Sequence, residues 1–216
     1  MMRSIRSFVP RQGRMTIAQK SAFDAHARMY LLSVPMIYAD PFLVDKPLVL
    51  DISFGMGDAL WQMAQAHPEY HFLGAEVHRP GIGALFRQVE TLGLTNVRVI
   101  EGDVNDFLAG IKHPLLHRVN IYFPDPWQKK RHHKRRLIQT GFVDKLSSLM
   151  VAHGTLHIAT DWADYAEHIQ SVMSEREDFS PLLNDAVIRP ETKFERRGKR
   201  LGHKITDFRY QHLKTK

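Results

Sequence analysis

Residues 121–136, IYFPDPWQKKRHHKRR, place an acid and an aromatic at the end of an apolar run and follow them with a block of positive charge. The apolar stretch Val119 to Phe123 breaks at Pro124 and presents Asp125 beside Pro126 and Trp127. It then passes into Lys129, Lys130, Arg131, Lys134, Arg135 and Arg136 with no acid among them. A carboxylate and an indole suit a planar, hydrogen-bonding substrate, and a basic run suits a phosphate chain. Together they suggest an enzyme that works on a base while gripping the backbone of a nucleic acid. Trp127 can stack on that base or fill a strand-end turn; the two readings weigh about equally.

A second group of residues has the chemistry of a cofactor site. Asp51-Ile52-Ser53-Phe54-Gly55-Met56-Gly57 closes one apolar run and opens a helical one. Glycines there let backbone approach a ligand closely. Glu76 ends the next apolar run, where an acid can accept both hydroxyls of an adenosine ribose. A nicotinamide dinucleotide and S-adenosylmethionine both fit so far. Asp51 disfavours a pyrophosphate but suits the cationic amino-acid end of S-adenosylmethionine, and the G-x-G spacing lacks the third glycine of dinucleotide loops. Asp103, ending a third run, then faces the adenine amino group.

The elements that must position these residues alternate. Residues 47–53, 71–77, 97–103, 119–123 and 154–160 read as buried strands. Residues 59–67, 81–92, 142–151 and 162–173 read as helices, and 17–34 form an earlier helix ending at Pro35. This order predicts an α/β fold with a doubly wound, mostly parallel sheet. The polar tail offers an antiparallel strand over 204–210. The expected organisation is a basic N-terminal extension with a helix (1–45) ahead of one catalytic domain (46–216). In such sheets ligands bind at the carboxyl ends of the strands; Asp51, Glu76, Asp103, Asp125 and Asp161 all stand there.

Composition narrows the class. The 216 residues contain no cysteine, which excludes disulfides, thiolate catalysis and Cys-based zinc sites. With no H-E-x-x-H pattern, no metal is expected. No apolar run reaches transmembrane length and no hydrophobic stretch follows Arg3 and Arg6, so neither membrane insertion nor secretion is expected, and a cytoplasmic location is. The net charge of +7 is unevenly spread: 1–30, 129–136 and 189–216 are strongly basic around an acidic remainder. Three separate segments of one sign point to a groove for a polyanion.

The chain resembles the bacterial tRNA (guanine-N7)-methyltransferases. The likeness rests on RSFVPRQGRMT (6–16), GAEVHRPGIGAL (74–85), FPDPWQKKRHHKRR (123–136), ATDWADYAEH (159–168) and RPETKFERRGKRLGH (189–203). It implies a Rossmann-like class I methyltransferase fold, S-adenosylmethionine as donor and tRNA as partner. By resemblance, Asp51, Ser53, Gly55, Gly57, Glu76, Asp103 and Asp125 face the cofactor, with Asp125 also the catalytic acid. Lys129, Asp161, Thr192, Lys193, Phe194 and Glu195 face the substrate, and Arg131, His132, His133, Lys134, Arg135 and Arg136 meet RNA. The chain departs from the family at Asp51-Ile52-Ser53, where Glu-Ile-Gly is usual.

Guanine N7 is an acceptor lone pair without a proton, so its methylation needs no general base. It needs alignment and carboxylates that offset the positive charge developing on the base. Asp125, Asp161 and Glu195 are candidates to accept from guanine N1–H and the exocyclic amine. Two alternatives remain: a family member with impaired catalysis acting as an RNA-binding module, and a nicotinamide-dependent oxidoreductase, which leaves the basic segments unexplained.

Overall fold

The apolar runs form a seven-stranded sheet in the computed structural model, which describes residues 6–8, 13–33, 40–183 and 189–213. The strands are β1 (Leu48–Ile52), β2 (His71–Glu76), β3 (Val97–Glu101), β4 (Leu116–Tyr122), β5 (Met150–Thr160), β6 (Phe179–Pro181) and β7 (Thr206–His212). Every residue of β1 and β2 is buried, as expected where helices cover both faces of a parallel sheet. The order β3-β2-β1-β4-β5-β7-β6 reverses its winding between β1 and β4. That reversal opens a crevice at the carboxyl ends of those two strands. β1 to β5 are parallel; β7 runs antiparallel to both β5 and β6.

Seven α-helices among the described residues flank the sheet: α1 (Ile17–Tyr30), α2 (Asp58–Ala66), α3 (Arg79–Thr91), α4 (Val104–Gly110), α5 (Thr140–Leu149), α6 (Ala163–Ser174) and α7 (Lys193–Arg200). One core joins α1, α2 and α3 to Val49, Phe72 and Val99; the other joins α4, α5 and α6 to Leu50, Leu73 and Ile158. Alternate residues of a strand therefore serve opposite faces, and Asp51 lies on the face of Val49. A capping box between Thr16 and Gln19 starts α1. After α1, Leu31 bridges Val99 and so covers the outer edge of β3.

The expected helix over 17–34 ends at Tyr30, while Val34 and Pro35 lie outside the described residues. Two helices carry no clear sequence signal. α4 is seven residues long, too short for helical periodicity to stand out. α7 buries only Glu195 and Gly198, so it has no apolar stripe to read. The antiparallel strand expected over 204–210 is β7, displaced by two residues. No helix among the described residues is long and apolar enough to cross a membrane.

Candidate active site

Asp51, the penultimate residue of β1, is only 1% exposed and hydrogen-bonded to Asn120 of the neighbouring β4. Asp51 Oδ2 and Asn120 Oδ1 are both buried without a hydrogen-bond partner within the protein. Buried polar atoms are rarely left so, and two acceptors side by side call for a donor. Burial, with Glu76 adding to it, pushes the Asp51 carboxyl up to about 8 despite the bond from Asn120. The cavity it shares with Ser53, Tyr122, Phe123, Thr192 and Phe194 measures about 30 Å³. These partners fit a group rich in N–H donors and positive charge.

The glycine loop after β1 is fixed by the acid that ends β2. Glu76 Oε2 accepts from Gly55 N at 2.8 Å, and Oε1 accepts from Val77 N at 2.7 Å and His78 N at 3.0 Å. Burial raises the Glu76 pKa, and these three bonds partly offset it. Gly55 and Gly57 take positive φ, and a Cβ on Gly81 would stand 1.9 Å from Gly55 O, so α3 touches the loop directly. Ser53 also has φ 59°, a left-handed conformation that costs a non-glycine residue about 1 kcal/mol. That strain is the physical reason glycine suits this position.

A cleft of about 330 Å³ adjoins the cavity and shares Ser53, Phe123 and Phe194 with it. Glu76 and Asp125 stand on its walls, with Ser7 and Phe8 of the N-terminal segment. Phe123 turns at φ 53°, which swings Pro124 and Asp125 away from β4 into this cleft. The structure thus brings together Asp51, Ser53, Gly55, Glu76, Asp125, Thr192, Lys193 and Phe194 at the β1/β4 crevice. Gly57 is buried behind the loop, where a Cβ would press on Leu85. Lys193 reaches back to within 3.8 Å of Asp58.

Asp103 stands apart. It caps α4, accepting from Asn105 N at 3.0 Å, and lines a separate hollow with Leu31, Leu32, Glu101 and Asp106. Asp161 lies under α7, 3.2 Å from His203 Nδ1, with Gly198 so close that a Cβ would meet Asp161 Oδ2 at 2.9 Å. Thr192 caps α7 by accepting from Glu195 N at 3.1 Å, and Glu195 is paired with Arg189 and Lys199. Burial, which alone would raise the Glu195 pKa, is outweighed by those two partners, so it is lowered.

The basic run is not uniform. Residues Lys130–Arg135 form a 3-10 turn in which Lys130, Arg131 and Lys134 are exposed, as is Lys129 before it. Arg136 is buried: it donates to Pro126 O at 3.0 Å, pairs with Asp164, and lies over the Tyr165 ring. Arg135 donates to Arg6 O and Phe8 O and stacks 4.0 Å above Trp127. Trp127 donates to Ser7 O at 2.9 Å, so its ring is engaged within the protein. His133 accepts from Arg136 at 3.1 Å. Desolvation and neighbouring cations hold His132 below its ordinary pKa. Of the six cations in the run, Arg135 is thus turned onto the N-terminal segment and Arg136 onto the turn and α6.

Arg136→Ala should remove the bond to Pro126 O and the cover over Tyr165, costing about 2 kcal/mol. Thermal unfolding should then begin roughly 4–8 °C lower, whereas neutralising Lys134 should leave the midpoint unchanged.

Sequence reasoning missed Asn120, Tyr122, Arg189 and Asp207. A polar residue inside the apolar run VNIY was the available signal for Asn120.

The sheet order, the loop after β1 and the strand-end acids define the Rossmann-like class I methyltransferase fold. Solved structures agree on the fold: an antibiotic-resistance methyltransferase, Kmr, superposes with a TM-score of 0.57 at 11% identity over 86% of this chain and 96% of its own. An rRNA methylase from Streptococcus thermophilus gives 0.54 at 13% identity, over 85% and 99%. The family model described as "Putative methyltransferase" matches residues 45–208. The tRNA (guanine-N(7)-)-methyltransferase of Marinobacter nauticus is 50% identical across 95% of this chain and 90% of the relative. That of Nitrosococcus oceani is 47% identical across 97% and 91%. The chain belongs to this family, the bacterial tRNA (guanine-N7)-methyltransferases.

Proposed function

We propose that this protein transfers a methyl group from S-adenosylmethionine to N7 of a guanine in tRNA. The observation that carries the reading is the buried Asp51 Oδ2, without a hydrogen-bond partner within the protein, in a cavity adjoining the cleft of Asp125. S-adenosylmethionine supplies an electrophilic methyl on a sulfonium. Asp51, with Asn120, would hold its ammonium group; Glu76 and the loop of Ser53, Gly55 and Gly57 would hold its ribose side; Asp103, in its separate hollow past the end of β3, would take the adenine end. No side chain has to remove a proton, since N7 carries none. Asp125 orients the base and offsets the charge that grows on it, and Asp161 works beside it on the guanine edge.

Thr192, Lys193, Phe194 and Glu195 form the substrate-side wall. Lys129, Arg131, Lys134 and His132, at the exposed turn, grip phosphates, while Arg135, Arg136 and His133 shape that turn. A narrow A-form major groove hides N7, so the target guanine lies in a loop or leaves its stack. Residues 1–45 serve the domain at 46–216 as a basic extension, from which Ser7 and Phe8 wall the cleft. A tRNA substrate suits a cytoplasmic enzyme.

The deciding experiment is transfer of labelled methyl from S-adenosylmethionine to bulk tRNA lacking 7-methylguanosine, followed by nucleoside analysis. A 7-methylguanosine peak is expected. RNA bound without any transfer would overturn the reading in favour of a binding module.

Replacing Lys129, Lys130, Arg131 and Lys134 together by Gln should flatten the log–log salt dependence of tRNA binding by roughly 3 units, at about 0.7–0.9 per lost phosphate contact. Binding measured from low to moderate salt checks this, and a slope equal to wild type would make the turn ordinary surface.

A further inference from the structure

We propose that Arg189 is a positioning residue for methyl transfer, a single guanidinium that fixes the substrate-side helix against the turn carrying Asp125. The inference rests on the methyltransferase reading above. Arg189 precedes α7, and its side chain is 3% exposed. It donates from Nε to Asp207 Oδ1 at 2.8 Å and from Nη2 to Asp207 Oδ2 at 3.0 Å, a two-point grip on β7. Its Nη1 donates to Glu195 Oε2 on α7. The guanidinium also lies over the rings of Tyr122 and Phe123, 5.4 Å from each centroid. One planar cation thus joins β7, α7 and the end of β4.

The network continues beneath it. His157 Nε2 donates to Asp207 Oδ1 at 2.8 Å, and the Tyr122 hydroxyl donates to His157 Nδ1 at 3.1 Å. Tyr122 faces the cavity of Asp51, and Phe123 makes the left-handed turn that leads to Asp125. Asp207 is held down to about 2: burial opposes ionisation, but the bonds from His157 and Arg189 prevail. A buried chain of hydrogen bonds with every member satisfied is rigid. On the other side, Gly198 lets α7 sit directly on Asp161.

Glu195 is then seen differently. Oε2 is bound by Arg189 and Oε1 by Lys199 at 2.8 Å, so the carboxylate is kept ionised and aimed by its neighbours. Lysine cannot reproduce this arrangement, because an ammonium lacks the planar fork that meets Asp207 at two points and Glu195 at a third. The geometry therefore distinguishes position from charge at residue 189.

The test compares wild type with Arg189→Lys and Arg189→Gln in single-turnover methyl transfer, with cofactor and tRNA affinities measured separately. Arg189→Lys keeps the buried charge, so it should fold, with an unfolding midpoint lowered by less than that of Arg189→Gln. Its methyl-transfer rate should fall at least tenfold while both affinities change less than threefold. Combined with Glu195→Gln, the loss should be no greater than the larger single loss, because the two act as a unit. A wild-type rate in Arg189→Lys overturns the inference and leaves the methyltransferase reading intact. So does a loss found wholly in cofactor or tRNA affinity, or one matched by the unfolded fraction of Arg189→Lys itself. A wild-type protein that binds RNA but transfers no methyl overturns both.

Discussion

Asp125→Ala is expected to lower the methyl-transfer rate by about two to three orders of magnitude, the size typical of removing one preorganised electrostatic partner of a transition state. The fold should be unaffected, because Asp125 is exposed on the cleft wall and contributes nothing to either hydrophobic core. Affinity for tRNA should change little, since the exposed Lys129, Arg131 and Lys134 proposed to grip phosphates are left in place. Asp125→Asn keeps hydrogen-bond acceptance but loses charge, so its rate should fall between the two. Single-turnover transfer beside tRNA binding separates the contributions. A parallel loss of rate and tRNA affinity in Asp125→Ala would assign Asp125 to binding.

Asp51→Asn should weaken S-adenosylmethionine binding at least tenfold at pH 8 and abolish its pH dependence. The Asp51 carboxyl is held at about 8 in the protein alone, against an ordinary value of 3.8. Between about pH 4 and pH 8 the folded protein retains a proton that the unfolded chain releases. The resulting stability is complete below the unfolded value and is lost as pH rises through the folded one, by at most about 1.4 kcal/mol per unit. A bound ammonium reverses the preference, because it favours the carboxylate. Cofactor affinity should therefore rise from pH 6 to 8 by up to about tenfold per unit, with a proton released on binding. Calorimetry in buffers of different ionisation enthalpy counts that proton. The same proton release from Asp51→Asn would show that another group titrates.

The depth of the site separates what could be read in advance from what could not. Buried parallel strands must be apolar throughout, so β1, β2, β3 and β5 stood out as runs, and an acid closing such a run was conspicuous. Asp51, Glu76 and Asp125 were found in this way, because their positions follow from local pattern and from the rule that ligands sit at strand ends. The reversed strand β7 was likewise visible, as the best strand candidate in a polar tail. α7 was not visible as a helix: its residues are polar around the whole circumference, and it is held by Arg189, Glu195 and Gly198 rather than by an apolar stripe.

What the sequence determined by itself was the strands, most of the helices and the acids that close the strands, since each depends on residues near one another along the chain. The tertiary structure alone decided which charges face outward. Arg135 and Arg136 look identical to Lys134 in the run, yet carbonyls of Arg6, Phe8 and Pro126 and the carboxylate of Asp164 turn them inward. It likewise decided that Asp51 meets Asn120 and that Arg189 meets Asp207 and Glu195. A hydrogen bond or ion pair depends on distances of about 3 Å, and only the folding of remote segments onto one another sets those distances.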